Sequence, residues 1–132
     1  MILKGRSICK GRVEGKALVS KTPISFYGGV DAKTGRIIEK NHELFGEIIA
    51  DKILFFPYGK GSTVGSYVLY QMAKNKVAPK GIVNIETEPI IAAGCILAGI
   101  PLVDGISENE MLSIKKGDKI RLDADNGVIE VL

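Results

Sequence analysis

From Ile2 to Ser20 apolar and polar positions alternate (Ile2, Lys4, Arg6, Ile8, then Val13, Lys16, Ala17, Leu18, Val19), and the pattern predicts two short strands joined at Lys10-Gly11. Lys21 to Ala32 carries Pro23, Gly28, Gly29 and Asp31 and is expected to be a loop, followed by a polar stretch from Gly35 to Gly46. Ile53-Leu54-Phe55-Phe56 is a continuous apolar run closed by Pro57, the pattern of a strand buried on both faces. After Tyr58-Gly59-Lys60-Gly61-Ser62-Thr63, the residues Val64, Tyr67, Val68, Gln71 and Met72 recur at the spacing of one helix face. The rest reads as a strand over 81–85, a helix over 90–98, a short strand at Leu102-Val103 and a turn from Ser107 to Leu112. A closing hairpin pairs Lys119–Asp125 with Val128–Leu132 across Asn126-Gly127, a strong two-residue turn signal. The expectation is one α/β domain over residues 1–132, rich in strands at both ends.

Composition narrows the function classes. The 132 residues are 45% hydrophobic and 25% charged, as in a folded globular chain and unlike a disordered one. Glycine is high at 16 residues, which points to tight turns and close backbone approaches. The net charge of +3 is mild, the basic residues are scattered, and four Tyr and four Phe offer little for base stacking, so no nucleic-acid partner is expected. No membrane association is expected either. Met1-Ile2-Leu3 runs directly into Lys4 and Arg6, which does not suit a secretory leader. The longest apolar stretch, Pro89 to Val103, is broken by Gly94, Gly99 and Pro101, short of the roughly 18–20 residues of a membrane span. Cys9 and Cys95 are too few for a zinc site. Two free thiols of a cytoplasmic protein, or one disulfide, are the readings they leave.

The chemistry-bearing feature is Gly59-Lys60-Gly61-Ser62-Thr63, between a buried strand and a helix. Glycines there let a ligand approach the backbone, the free N–H groups at a helix start attract an anion, and Lys60 adds a positive charge. It is not a nucleotide P-loop: Gly61 follows Lys60 where that motif has Ser or Thr. Spacing alone favours the plainer alternative, a turn with Ser62 as helix N-cap. Ser62 could serve as a base only with a strongly lowered hydroxyl pKa, towards which a helix N-terminus, backbone donors and Lys60 all push. Gly-x-Ser-x-Gly is absent around it, so a hydrolase nucleophile is not indicated. His42, the one histidine, is expected to be structural. Glu86 and Glu88, spaced as same-face strand residues, mark either a solvated strand end or an acid–base pair. Gly28-Gly29-Val30-Asp31 reads equally as a ligand-contacting loop and as a turn.

Taken together, several segments resemble the small, swivelling subunit of the aconitase X family. They are Gly28-Gly29-Val30-Asp31, Gly35-Arg36-Ile37-Ile38, His42, Lys60-Gly61-Ser62-Thr63-Val64-Gly65-Ser66, Ala93-Gly94-Cys95, Gly99-Ile100-Pro101, Gly117-Asp118 and Gly127. The resemblance runs over nearly the whole chain and is most specific at Gly61 to Ser66. It implies a swivelling β/β/α domain related to that of aconitases. It also implies a heterodimer with a large subunit that carries a 4Fe-4S cluster, which two distant thiols could not hold by themselves. The reaction it implies is loss of water from (R)-5-phosphomevalonate to give trans-anhydromevalonate 5-phosphate, on an archaeal mevalonate route to isoprenoids. Ser62 matches the family's catalytic base. Lys60, Gly61, Thr63, Ser66, Gly28, Gly29 and Asp31 are then the candidate residues for binding the small phosphorylated hydroxy acid.

Two other expectations stand beside this one. A hydroxyproline dehydratase of the same family would use the same subunit and base. The tail from Ala98-Gly99-Ile100-Pro101 onward also resembles the swivel domain of phosphohistidine carriers, but Thr87-Glu88-Pro89-Ile90-Ile91 holds no histidine to take a phosphoryl group. A non-catalytic swivel module is what remains of that reading.

Overall fold

The computed structural model describes residues 1–132. Its first strand does two jobs. β1 (Ile2–Lys4) pairs antiparallel with β10 (Val128–Val131), and β2 (Arg6–Cys9) pairs antiparallel with β8 (Leu102–Asp104). Only Gly5 separates them. The strand order is β1-β10-β9-β3-β6-β7-β8-β2, with β3 (Arg12–Val19), β6 (Ile53–Phe55), β7 (Gly81–Val83) and β9 (Lys119–Asp123) between. Because the two ends of that order are successive pieces of one segment, the sheet closes on itself through Gly5. A Cβ there would lie 2.2 Å from the Asp104 carbonyl oxygen, so the crossing admits no side chain.

Strands β3, β6, β7 and β8 are parallel; α2 (Gly65–Lys74) connects β6 to β7 and α3 (Pro89–Ala98) connects β7 to β8. β9 and β10 form the antiparallel hairpin that the Asn126-Gly127 turn predicts. Two cores follow from this topology. Leu3, Ala17, Ile53, Phe55, Val83, Val103, Ile120, Leu122 and Ile129 fill the inside of the closed sheet, sealed by Met111 of α4 (Glu108–Leu112). Leu18, Leu54, Phe56, Ile82 and Leu102 face outward and pack beneath Leu69 and Met72 of α2 and Ile91 and Cys95 of α3. Ile53 and Phe55 thus look one way and Leu54 and Phe56 the other, as the uninterrupted apolar run requires. Both cores close within the chain, and no buried side-chain nitrogen or oxygen lacks a hydrogen-bond partner. No helix is long and apolar enough to cross a membrane.

Three local expectations are corrected. The loop from Lys21 contains a short kinked helical turn, α1 (Phe26–Gly29), then a two-strand ribbon of β4 (Val30–Asp31) and β5 (Arg36–Ile37). Ser107–Leu112 is not a bare turn: Ser107 and Glu110 make a reciprocal capping box that starts α4. The buried face of α2 is Gly65, Ser66, Leu69 and Met72, while Val64, Tyr67 and Gln71 of the anticipated stripe are exposed. The reason is α3, which runs alongside. A Cβ at its Gly94 would meet Leu69 Cδ1 at 2.6 Å and Ser66 Cα at 3.2 Å. Helices that approach this closely turn their small residues to one another, and this rotates the apolar stripe outward.

Substituting Gly5→Ala forces a methyl into backbone, a strain of about 1–3 kcal/mol. The melting temperature is expected to fall by about 5–10 °C. A circular-dichroism melt that moves by less than about 1 °C would place the crossing elsewhere.

Candidate active site

The carboxyl ends of β3, β6, β7 and β8 meet at one rim of the sheet, the usual place for a ligand in an open parallel arrangement. Side chains tie these ends together. Asn84, fully buried after β7, donates from Nδ2 to the Phe56 carbonyl at 2.9 Å and accepts from the Thr87 hydroxyl at 3.3 Å. Asp104, at the end of β8, accepts from the Thr87 N–H at 3.0 Å and from Arg6 Nε and Nη2 at 3.0 Å each. Burial by itself would raise the Asp104 carboxyl, but the hydrogen bonds from Arg6 and Thr87 outweigh it and hold the group below the usual carboxylate range.

The loop after β6 sits on this rim. Lys60 N–H donates to the Ile24 carbonyl at 3.1 Å, which fastens the loop to the segment after β3. Gly61 then turns with φ +94°, and a Cβ on it would fall 2.4 Å from Ser25 Oγ. Only glycine fits here, on both counts. Ser62 Oγ accepts the Val64 N–H at 3.2 Å, and the Ser62 carbonyl accepts the Gly65 N–H at 3.0 Å. Helix α2 begins after that, with Val64 at the N-cap position and no side chain capping it. Ser62 is therefore not the N-cap. It lies two residues outside the helix in a turn of its own. The N–H groups of Gly61, Ser62 and Thr63 have no acceptor within the chain, three consecutive donors before a helix with no acid in its first turn. An anion is the species this arrangement suits.

The neighbouring helix shows the contrast. At the start of α3, Glu88 accepts the N–H groups of Ile90 at 3.0 Å and Ile91 at 2.8 Å, so a carboxylate of the chain already occupies that N-terminus. This also separates Glu86 from Glu88. Strand β7 ends at Val83, so the two are not on one strand face, and Glu86 lines an open groove of about 400 Å³ with Tyr58, Pro57 and Met111.

The other candidates divide by place. Lys60 Nζ is 3.7 Å from Glu39 Oε2, and Glu39 in turn stands against Gly29, so the Gly28-Gly29 turn lies beside the loop. Thr63 is exposed. Ser66 is buried and its hydroxyl donates back to the Thr63 carbonyl at 3.1 Å, which leaves it facing the helix rather than the rim. Asp31 is set apart. Its carboxylate accepts the Lys33 N–H at 2.9 Å in a turn that shares a hollow with Gln71 and Asn75, at the far end of α2. Ten residues of helix, about 15 Å, separate that end from Ser62.

Residues that the sequence did not single out hold the loop's surroundings. Ser25 walls Gly61. Glu43 Oε1 accepts from the Ser20 hydroxyl at 3.0 Å, from the Thr22 N–H at 3.0 Å and from the Lys21 N–H, and so straps the stretch around residue 43 to the segment after β3. Burial opposes the charge on Glu43, but these donors outweigh it and lower the carboxyl. His42, which the sequence did single out as a structural residue, lies beside them: Nδ1 accepts the Leu44 N–H at 3.0 Å, so the proton sits on Nε2, 3.1 Å from the Pro23 carbonyl. The signal for Ser25 and Glu43 was weak, because each acts on a segment far away in sequence. A cluster finds no ligands here. Both cysteines are free, burial pushes both thiols up, and nowhere do three His, Cys, Asp or Glu side chains come together as a metal site.

Residues 2–131 match the family described as the Aconitase X swivel domain, and the chain belongs to that family. Similar proteins include the phosphomevalonate dehydratase small subunit of Methanocella arvoryzae, 53% identical over 131 residues that make up 99% of either chain. That of Methanocaldococcus jannaschii is 57% identical over 132 residues, covering 100% of this chain and 98% of its own. A crystal structure of Thermococcus kodakaraensis aconitase X in its holo-form matches with a TM-score of 0.95 at 49% identity, over 100% of this chain and 98% of that one.

The lowered carboxyls of Asp104 and Glu43 set an acid limit on this rim. Each contributes fully above the ordinary carboxylate range near pH 4 and loses its contribution as pH falls through its lower folded value. Arg6→Ala removes the main donor to Asp104 and is expected to raise the acid-unfolding midpoint, followed by far-UV circular dichroism, on the order of half a pH unit. An unmoved midpoint would mean that Thr87 alone holds the charge.

Proposed function

We propose that the chain is the small subunit of a phosphomevalonate dehydratase, in which Ser62 is the general base. The observation that carries the reading is the Ser62 hydroxyl set among three unpaired N–H groups at an uncapped helix start. The names of relatives more than half identical over the full chain support the same reaction.

In this reading Ser62 Oγ removes a proton from the carbon beside the substrate carboxylate. The C–H electrons form the new double bond as the neighbouring C–O bond breaks; the departing hydroxide takes up a proton from solvent to become water, and Ser62 returns the proton it gained to solvent. Two features favour the alkoxide form of Ser62: the Val64 N–H already donated to Oγ, and the positive end of α2. The amides of Gly61 to Thr63 and the Lys60 ammonium receive an anionic group of the substrate, for which Lys60 exchanges its loose contact with Glu39. Gly28 and Gly29 leave room beside that group. Ser66 and Asp31 act through the loop and the ribbon, since neither side chain is free on the rim.

The residues of this chain do not fit a cluster; a 4Fe-4S cluster held by the large subunit of a heterodimer, as the family resemblance implies, would supply the Lewis acid for the departing hydroxyl. The two free thiols support a reducing, cytoplasmic setting.

The test is an anaerobic assay of the complex with its large subunit, offering 5-phosphomevalonate and hydroxyproline in parallel. Dehydration of phosphomevalonate is expected, with none by the isolated chain. Ser62→Ala should lower turnover at least about a hundredfold with the complex intact, the scale of a lost general base. Lys60→Ala should raise KM and change kcat little. Activity on hydroxyproline alone would move the substrate. A Ser62→Ala loss below about threefold would return Ser62 to a purely structural turn.

A further inference from the structure

Lys60 is the only charged side chain between Ile53 and Ala73, and its counter-charge comes from another segment. The ammonium lies 3.7 Å from Glu39 Oε2, the longest of the chain's ion pairs. Charge-assisted hydrogen bonds run at about 2.7–2.9 Å, so this contact is electrostatic and not a locked bond. Both side chains keep water, Lys60 at 48% exposed and Glu39 at 34%. Their backbones, by contrast, are fixed. Lys60 N–H is bound to the Ile24 carbonyl at 3.1 Å. On the other side Ile38 N–H donates to the Gly29 carbonyl at 2.9 Å, and the Glu39 carbonyl accepts the His42 N–H at 3.1 Å. The Glu39 side chain lies along Gly29, where a Cβ would be 3.4 Å from Oε1. Glu43, Glu88 and Asp104 each accept backbone N–H groups. The Glu39 carboxylate meets only the Lys60 ammonium.

We propose that Glu39 is a positioning residue that acts through Lys60, a resident counter-ion that the anionic group of the substrate displaces. The inference rests on the proposed function, since it concerns how the loop assigned there takes its anion. An unpaired lysine beside three free amides would be filled by any anion of the medium. A tight partner, such as Asp104 is for Arg6, would not give the cation up. A half-exposed pair lies between these limits, weak enough to exchange and strong enough to set a threshold. An arriving phosphate or carboxylate meets the ammonium and the amides of Gly61, Ser62 and Thr63 together, which Glu39 does not, and so it wins the exchange. When the product leaves, the carboxylate returns.

The test is a titration of the full chain with inorganic phosphate at constant ionic strength, read by the amide NMR signals of Gly61, Ser62 and Thr63. Glu39→Gln is expected to tighten binding about two- to fivefold, the scale of a half-exposed ion pair. With Lys60→Ala also present, Glu39→Gln should change it less than about 1.5-fold, because the carboxylate acts through the lysine. A gain that persists without Lys60 overturns the proposal, for Glu39 is then only a repelling charge. So does a Glu39→Gln variant with no gain, or phosphate that leaves all three amides unmoved. In the assembled enzyme Glu39→Gln should lower KM for 5-phosphomevalonate by the same factor and keep kcat within about twofold. A fall in kcat with KM unchanged would make Glu39 structural and overturn the proposal. Melting curves within about 2 °C of wild type show that the fold is kept, as exposed substitutions allow. Should Glu39→Gln melt lower, Glu39→Asp, one methylene shorter, replaces it with the same direction expected. Phosphate binding that follows the Glu39–Lys60 pair, in a complex that dehydrates no phosphomevalonate, refutes the assigned reaction and leaves the counter-ion role standing.

Discussion

A strand that pairs to one side along its first half and to the other along its second must change partners at one residue, and Gly5 is where this chain does so. The Gly5 N–H reaches back to the Gly127 carbonyl at 2.7 Å, and one residue later Arg6 is in register with Asp104 of β8. Gly127 needs the same freedom, since a Cβ there would lie 2.5 Å from the Gly5 carbonyl oxygen. Closure at this corner sets the register of β8, and β8 sets that of β7 and β6 beside it. The height at which the loop after β6 leaves the sheet is thus decided on the other side of the molecule. Arg6 and Asp104 stiffen the corner from the rim side, so the closing contact and the site share a carboxylate.

A rigid rim under an open loop follows from how polar groups are spent. Asn84, Thr87 and Asp104 satisfy one another and the strand-end carbonyls, in surroundings where an unpaired group would cost about 1–3 kcal/mol. Glu43 and His42 do the same for the segment after β3. The donors left over include those of Gly61, Ser62 and Thr63, on a loop held by its ends, through the Lys60 N–H at one and the Gly65 N–H at the other. Donors fixed in this way need no reorganisation when negative charge arrives, which is the condition for strong electrostatic stabilisation.

Most of the architecture was legible because it rests on local rules. The run Ile53–Phe56 could only be a strand covered on both sides, and Asn126-Gly127 could only be a tight hairpin turn. Legibility failed where the answer depended on what packs alongside. The stripe Val64, Tyr67, Gln71 is truly periodic, but Gly94 of α3 draws the small residues Gly65 and Ser66 inward, and a period does not say which of two faces is buried. Glu86 and Glu88 looked paired because a strand was carried two residues too far. Asp31 sat in a motif with Gly28 and Gly29, yet the ribbon of β4 and β5 leads it away along α2. Of the site, Gly61 and Ser62 could be read from their own spacing as far as a loop before a helix. The walls that Ser25, Glu39 and Glu43 provide could not, because each is set by contacts some twenty residues or more away in sequence.

The chain has the means to cap a helix and uses them unevenly. Glu88 caps α3, and Ser107 with Glu110 caps α4. A cap of this kind is worth about 0.5–2 kcal/mol; ahead of α2 the Ser62 hydroxyl accepts the Val64 N–H and the carbonyls of Ser62, Thr63 and Val64 take the first-turn N–H groups, so no carboxylate of the chain is placed there. The N–H groups of Gly61, Ser62 and Thr63 ahead of α2 stay free of the chain's own carboxylates, and donors filled by the chain's own anion could not receive another. Similar economy explains the outer face of α2. Charges on it would improve solubility, but they would stand beside the same unpaired donors. Three unpaired donors ahead of α2 and an apolar outer face on it are costly for a chain on its own and coherent for one whose relatives are named as small subunits.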